Sequence, residues 1–271
     1  MKKIVLIPLI VLGVLAAIVI YFYITYFMTG AFATLIVDSG TVQYKSSESW
    51  TNAQSGMALK QGYSLKTLSG SSASIILANS VMRMDENTEI SLDSMDSGKV
   101  SISQIIGKTW TKLFKISGIS SYEISTPDAI ATVRGTAFGV ESGNETRIAV
   151  AEGNVSAEAK GTGASSIIGA NKEATINEND ANITEEDINL DEWINGNMGL
   201  DAKYRDALKQ KLISRYGNLF SLAQQQGANQ TDIDTFVYDW IDGKRSINKM
   251  IENGEISGSI ALIIPPELKR Y

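Results

Sequence analysis

The 271-residue chain contains no cysteine and no histidine. Without cysteine there is no disulfide, no thiol nucleophile and no thiolate metal ligand, and redox compartment leaves no trace. Without histidine, Ser-His-Asp triads, imidazole acid–base chemistry and Cys/His zinc sites are excluded as well. Catalysis would have to come from carboxylates, Lys, Arg, Ser/Thr or Tyr. The composition therefore argues for a non-enzyme, and no catalytic, cofactor-binding or metal-ligating residue is assigned. Positive charge is also short. The 24 Lys+Arg against 30 Asp+Glu give a formal net charge of −6, and neutralising phosphates needs a basic surface, so nucleic acid is not expected as a partner.

Charge of either sign is missing from one long stretch. After Lys2 and Lys3 none occurs before Asp38. Residues 4–28 are apolar, and about 25 residues of helix would extend roughly 37 Å, enough to cross a hydrocarbon core of about 30 Å. Tyr21, Phe22, Tyr23, Tyr26 and Phe27 then form an aromatic belt of the kind that favours a membrane interface. The two lysines put the N-terminus in the cytoplasm, so the reading is a cytoplasmic tail over 1–3, a transmembrane signal-anchor helix over 4–28 and everything beyond outside the cytoplasm. A cleavable signal peptide is the alternative. Ala31-Phe32-Ala33 offers a cleavage site, though the apolar run exceeds the usual 7–15 residues, and a mature N-terminus at Thr34 would overturn the anchor. A tail of three residues holds no effector domain.

Residues 34–176 are rich in Ser, Thr, Gly, Val and Ile. Runs such as ASIILA from Ala73, TEISL from Thr88, KVSISQII from Lys99, RIAVAEG from Arg147 and NVSAEA from Asn154 alternate or run apolar, separated by Gly, Asn, Asp and Ser. About a dozen short strands with such punctuation predict a β-sandwich or barrel-like fold. Gly-x-Val recurs at Gly40, Gly98 and Gly153, with Gly turning the chain at positive φ and Val opening a strand inward. Residues 177–186 are acidic and read as a linker. Over 187–271 the period becomes helical. Leu200, Tyr204, Leu208, Leu212, Tyr216 and Leu219/Phe220 form a stripe. Thr231 with Asp234 predicts a cap for a second helix that ends at Gly243, and Ile247, Met250 and Ile251 predict a third. The closing apolar run stops at Pro265 and Pro266. A helical module of about 85 residues is marginal alone, so it is expected to dock on the β domain or on a partner.

The stretch STPDAIATVRGTAFGVES, from Ser125, sets Arg134 inside an apolar, β-prone run. Together with TRIAVAEGNVSAEA it resembles the FecR domain family. The matching residues are Thr126, Pro127 and Ala129; Arg134, Gly135, Thr136 and Phe138; and Val150, Gly153 and Val155. Upstream, Trp50, Gly56, Leu59, Gly62, Thr67 and the segment GKTWTKLF with Trp110 fit the same family, and GANKEATI resembles its closing strand. The resemblance spans about residues 38–176. It departs at Asn79-Ser80, where the family more often has Asp-Gly. It implies a mainly β chain with a jelly-roll-like β-sandwich outside the cytoplasmic membrane. In well-known bacterial members the protein relays a signal from an outer receptor to a sigma factor through a sizeable cytoplasmic region. Three residues do not supply that region, so the sigma-factor role is not carried over.

The motif residues Thr126, Pro127, Arg134, Gly135, Thr136, Phe138 and Gly153 read first as structural. Arg134 would pin a bend by pairing with a carboxylate, and its burial would make Arg134→Ala costly. Alternatively it contacts a ligand, and its mutant folds but loses binding. Pro127 would start a strand. Asp85, Glu86, Asn87, Glu89, Asp93 and Asp96 read as a solvated strand edge; calcium is the alternative, although the EF-hand glycine is missing. Trp193, Tyr204, Phe236 and Trp240 read as packing, with a partner-binding face as the alternative. The chain is thus expected to be a membrane-anchored extracytoplasmic binding or scaffold protein for an unidentified protein or envelope polymer. A sensor subunit signalling through a partner membrane protein, or an envelope-polymer hydrolase using a carboxylate pair, are the alternatives.

Overall fold

Buried and exposed residues alternate along most strands, as side chains of period two require, and that alternation fixes two layers. The computed structural model describes residues 33–253 apart from 79, 97, 118, 226 and 246. The expected tail over 1–3, the membrane helix over 4–28 and the closing run around Pro265 and Pro266 lie outside the described residues. Among the described residues, no helix is long and apolar enough to cross a membrane.

The strands are β1 (Ala33–Ser39), β2 (Val42–Lys45), β3 (Thr51–Asn52), β4 (Ala58–Leu59), β5 (Ser64–Thr67), β6 (Ser72–Leu77), β7 (Ser80–Met84), β8 (Glu89–Asp96), β9 (Lys99–Lys112), β10 (Ser121–Ser125), β11 (Ala129–Val133), β12 (Ala137–Ser142), β13 (Thr146–Glu152), β14 (Val155–Ala159), β15 (Ser165–Ile168), β16 (Lys172–Ile176) and β17 (Glu186–Asp187). The surplus over the expected dozen includes the two-residue strands β3, β4 and β17, which are too short to carry a hydrophobic pattern.

Two sheets share β9. A covered sheet runs β4–β1–β6–β7–β9–β12–β13–β16–β17. An open sheet runs β3–β2–β5–β8–β9–β10–β11–β14–β15. Residues 99–106 of β9 pair with β8 and residues 107–112 with β12. The run KVSISQII stops at Ile106, but the strand continues past it, turns at Gly107 with φ +95 and carries Trp110 into the other sheet. The sets β5–β8 and β11–β14 repeat one unit. The outer strands of each set pair in the open sheet and the inner two form a hairpin in the covered sheet.

Leu35, Ile75, Met82, Phe138 and Ile148 from the covered sheet meet Leu65, Ile90, Ile102, Tyr122 and Val155 from the open one in a single core. Each such side chain is worth about 1.5–3 kcal/mol on full burial. Tyr122 packs edge-on against Phe138 at 6.2 Å, and its hydroxyl meets Thr111 Oγ1 at 3.3 Å. Burial drives the Tyr122 pKa up. The three Gly-x-Val valines, Val42, Val100 and Val155, are buried as expected. Gly40 and Gly153 take positive φ, but Gly98 does not.

The acidic segment is not a free linker. Ile183 is buried against the core, Glu185 accepts from the Gly169 N–H at 3.0 Å, and β17 pairs with β16. Helix α1 (Glu192–Arg215) then starts at Asp191, whose carboxylate accepts from the Ile194 N–H at 2.8 Å. Arg147 of β13 reaches Glu173 at 2.6 Å and that same Asp191 at 3.4 Å. The hydrogen bond to Glu173 raises its pKa further.

The expected stripe is interrupted. Leu200 is exposed because α1 turns Asp201 inward instead, and α1 gives way at Tyr216 to a separate α2 (Gly217–Gln225). Helix α3 (Gln230–Ile241) is capped by Asn229, not Thr231. The Asn229 side chain accepts from the Asp232 N–H at 3.0 Å and Asp232 accepts from the Asn229 N–H at 2.9 Å, a reciprocal box two residues earlier than expected. Gly243 follows its end as anticipated, and α4 (Ile247–Glu252) succeeds it.

Helix α1 lies on the outer face of the covered sheet. Ala137, Ala149 and Ala151 make a shallow seat for Ile194 and Trp193 beside the fully buried Trp110. A Cβ on Gly139 would stand 2.7 Å from Trp193 Cη2, so only glycine leaves the indole its place. The docking expected for the helical module is thus onto the β domain.

Candidate functional site

The motif residues form two structures, one at each end of β11. Thr126, Pro127 and Asp128 make the turn of the β10–β11 hairpin. Thr126 Oγ1 accepts from the Ala129 N–H at 2.9 Å and contacts Thr146 Oγ1 at 2.7 Å, and Thr146 donates to Asp128 at 3.1 Å. Pro127 therefore sits exposed in the turn; the strand it was expected to start begins at Ala129. Its fixed φ and missing N–H suit a turn, where no ladder bond is lost.

Arg134, Gly135 and Thr136 carry the chain from β11 in the open sheet to β12 in the covered sheet. Gly135 has φ +67 and Gly153, at the reverse crossing, φ +80. The two crossings touch: a Cβ on Gly153 would lie 2.7 Å from Thr136 Cγ2 and 3.0 Å from the Gly135 carbonyl oxygen. Phe138 goes into the core. The Thr136 carbonyl accepts from the Leu113 N–H at 2.8 Å, while its buried hydroxyl has no partner among the described residues.

Arg134 corrects the reading of a pin. It is exposed, and it makes no hydrogen bond or ion pair among the described residues. The bend is held by Gly135 and by backbone bonding, so the guanidinium is left to solvent or to a partner.

Beside this corner lies a cleft of about 570 Å³. One wall is the corner itself with Lys112, Phe114, Lys115 and Glu152; the other is α1 and the end of α3, with Met198, Asp201, Arg205 and Asp242. The Lys115 stem is wedged between Gly135 and Gly243: added Cβ atoms there would stand 2.8 and 2.5 Å from it. Its ammonium has no partner among the described residues. Every carboxylate of the cleft is engaged. Glu152 pairs with Lys112, Asp242 with Arg205 at 2.5 Å and Lys244 at 3.6 Å, and Asp206 accepts from the Tyr238 hydroxyl at 2.5 Å. Asp201 accepts from Arg83 at 2.6 Å and from Trp110 Nε1 at 2.8 Å. Desolvation raises the Asp201 pKa despite Arg83, which pulls the other way. A carboxylate pair free for acid–base work is thus not presented here.

Trp193, Tyr204, Phe236 and Trp240 are turned inward. Trp193 meets Trp110 edge-on at 5.8 Å, Tyr204 stacks on Phe114 at 5.9 Å, and Phe236 stacks on the buried Trp240 at 6.4 Å. Each of the four packs against another aromatic ring, with Trp240 buried and the other three half-buried. The acidic residues from Asp85 to Asp96 are strung along a turn and β8, and no group of metal ligands forms among the described residues. Sequence reasoning missed Arg83, Lys115 and Asp201. Nothing local marks them, since Arg83 and Asp201 meet across 118 positions of chain.

Residues 63–156 match the family model described as FecR protein. The structure carries the same two sheets beyond that stretch on both sides, through β1–β4 and β15–β16. Two crystal structures of a candidate anti-sigma factor from Parabacteroides distasonis ATCC 8503, at 1.65 and 2.50 Å resolution, are similar at 14% identity with a TM-score of 0.40. The similarity covers 46% of this chain and 59% of theirs, less than two thirds of those structures. No curated protein matches the chain.

Proposed function

From the FecR match over residues 63–156, we propose that this chain is a non-catalytic signalling and binding module that engages a protein partner at the Arg134 corner. It is held at the outer side of the cytoplasmic membrane by the charge-free run 4–28, with its N-terminus in the cytoplasm. The observation that carries the reading is Arg134 itself. An arginine at the centre of the family motif, exposed and without an ion pair among the described residues, is available to a carboxylate on another molecule. Lys115 supplies a second open cation at the same corner. The relay of a signal then runs through that partner.

The test uses the full chain in its native membrane. Arg134→Glu should fold with an unchanged melting temperature yet lose the proteins that co-purify with the wild type. Retention of the same set, or a collapse in stability, would sink the reading. The absence of cysteine makes the anchor testable separately. A Ser47→Cys variant, at an exposed site, should react in intact cells with a maleimide that cannot cross the membrane.

A further inference from the structure

The described chain enters the β domain at Ala33, the first residue of β1. Ala33 pairs with Leu59, which sets Lys60 one step further toward the preceding chain. Only residues 29–32 separate Ala33 from Met28, where the apolar run stops. At full extension that distance is at most about 18 Å. The same end of the domain carries the turn from Lys60 into β5 and the loop from β2 to β3, because Lys45 pairs with Ser64 and Tyr44 with Thr51. In that loop Trp50 is half-buried, with the Lys66 ammonium 4.3 Å and the Lys45 ammonium 5.0 Å from its ring centroid. Tyr44 and Tyr63, also half-buried, stack on each other at 5.8 Å.

Lys45, Lys60 and Lys66 have no carboxylate partner among the described residues. Glu48 lies in the same loop and Glu89 stands opposite Lys66 in register, yet neither forms an ion pair with these lysines. Two like charges are therefore held at one ring, and an anion from outside would offset their repulsion. Trp and Tyr rings favour the headgroup level of a bilayer, and lysines are drawn to anionic lipid within about one Debye length, ~10 Å. A soluble anion would match the lysines alone. The aromatic rings, and the place of the cluster beside the chain's entry into the domain, select the membrane surface.

We propose that this end of the domain sits on the anionic lipid headgroups of the membrane that holds the chain, through Trp50, Lys45, Lys60 and Lys66. The proposal rests on the anchoring by residues 4–28 and is independent of the partner at Arg134. That corner lies at the same end of the covered sheet, but four strand spacings from Ala33 across β6, β7, β9 and β12, or roughly 20 Å.

The absence of cysteine allows one label per molecule. Full chain carrying Ser49→Cys or Asn144→Cys, both exposed sites, is labelled with a fluorophore and reconstituted into phosphatidylcholine vesicles with and without phosphatidylglycerol. Lipids bearing a quencher on the headgroup report contact. Ser49 belongs to the Trp50 loop, whereas Asn144 lies in the β12–β13 turn at the opposite end, a strand length of about 20 Å away. The Ser49 label should be quenched several-fold more than the Asn144 label, and more strongly when phosphatidylglycerol is present. Lys45→Glu with Lys66→Glu should remove that increment, and Lys60→Glu, on an exposed side chain, should reduce it. Arg134→Glu should leave it intact. Equal quenching of the two labels, no response to phosphatidylglycerol, or loss of the increment in Arg134→Glu overturns the proposal. Flotation in high salt reads the anchoring separately. A chain that floats with the vesicles but shows equal quenching refutes the headgroup contact alone, and one that does not float refutes the anchoring and the contact with it.

Discussion

The two outer faces of the sandwich are built from the same backbone and differ in what stands on it. The covered sheet presents Trp110 among Ala137, Gly139, Ala149 and Ala151, a shallow apolar seat that α1 fills with Ile194 and Trp193. The open sheet presents mostly serines, threonine, carboxylates and Lys66, with single isoleucines such as Ile130 and Ile167 between them, and the helices pack on the other side. Apolar area left bare would invite association, so the covered face demands a lid. The open face scatters its few apolar side chains among polar ones and is stable in water without one. The lesson is that the helical module belongs to the β domain structurally, while the bare face and the motif corner are free for other molecules.

The largest break in that contrast should come from Asp201→Ala. It strands the partly buried Arg83 guanidinium and the Trp110 N–H at once, and removing one partner of a buried pair costs on the order of 3–5 kcal/mol. Denaturant unfolding reads the loss. Trp193→Ala should cost about 2–4 kcal/mol, because the indole fills the seat and its edge-on contact with Trp110 is lost. Gly139→Ala should cost about 1–3 kcal/mol as an overpacking change, with Trp193 emission altered as the indole shifts. Arg134→Ala should stay within about 0.5 kcal/mol of wild type, as should Ser103→Ala on the open face. A large loss from either would mean that the faces are not divided as described.

Asp201 also predicts a pH dependence. Its folded pKa lies above the ordinary carboxylate value of 3.8, chiefly from desolvation. The protonated form is therefore favoured in the folded state, and this group's contribution to stability is full below pH 3.8. That contribution declines as pH rises through the folded pKa and is constant beyond it. Asp201→Asn should remove this component, visible as a difference between the two stability–pH curves across that window.

The β class, most strand positions and the FecR match were legible because period-two patterning and the Arg-Gly-Thr motif are local signals. Pro127 was misplaced by two residues since a turn proline and a strand-starting proline look alike without the partner strand. Arg134 was read as a pin because a lone charge in an apolar run suggests burial, yet the run crosses between sheets there and the side chain points to solvent. The α1 stripe was drawn through Leu200 on hydropathy alone. The helix faces Asp201 inward because Arg83 and Trp110, far away in sequence, wait for a carboxylate.

The most direct test of the division between the faces is a double-mutant cycle on the full chain between Arg83 and Asp201, using Arg83→Ala, Asp201→Ala and the double variant. The buried contact predicts a coupling energy of at least about 1 kcal/mol, with the double variant less destabilised than the sum of the singles. Additive effects within about 0.3 kcal/mol would contradict it and would mean that α1 is not fastened to the covered sheet at this point.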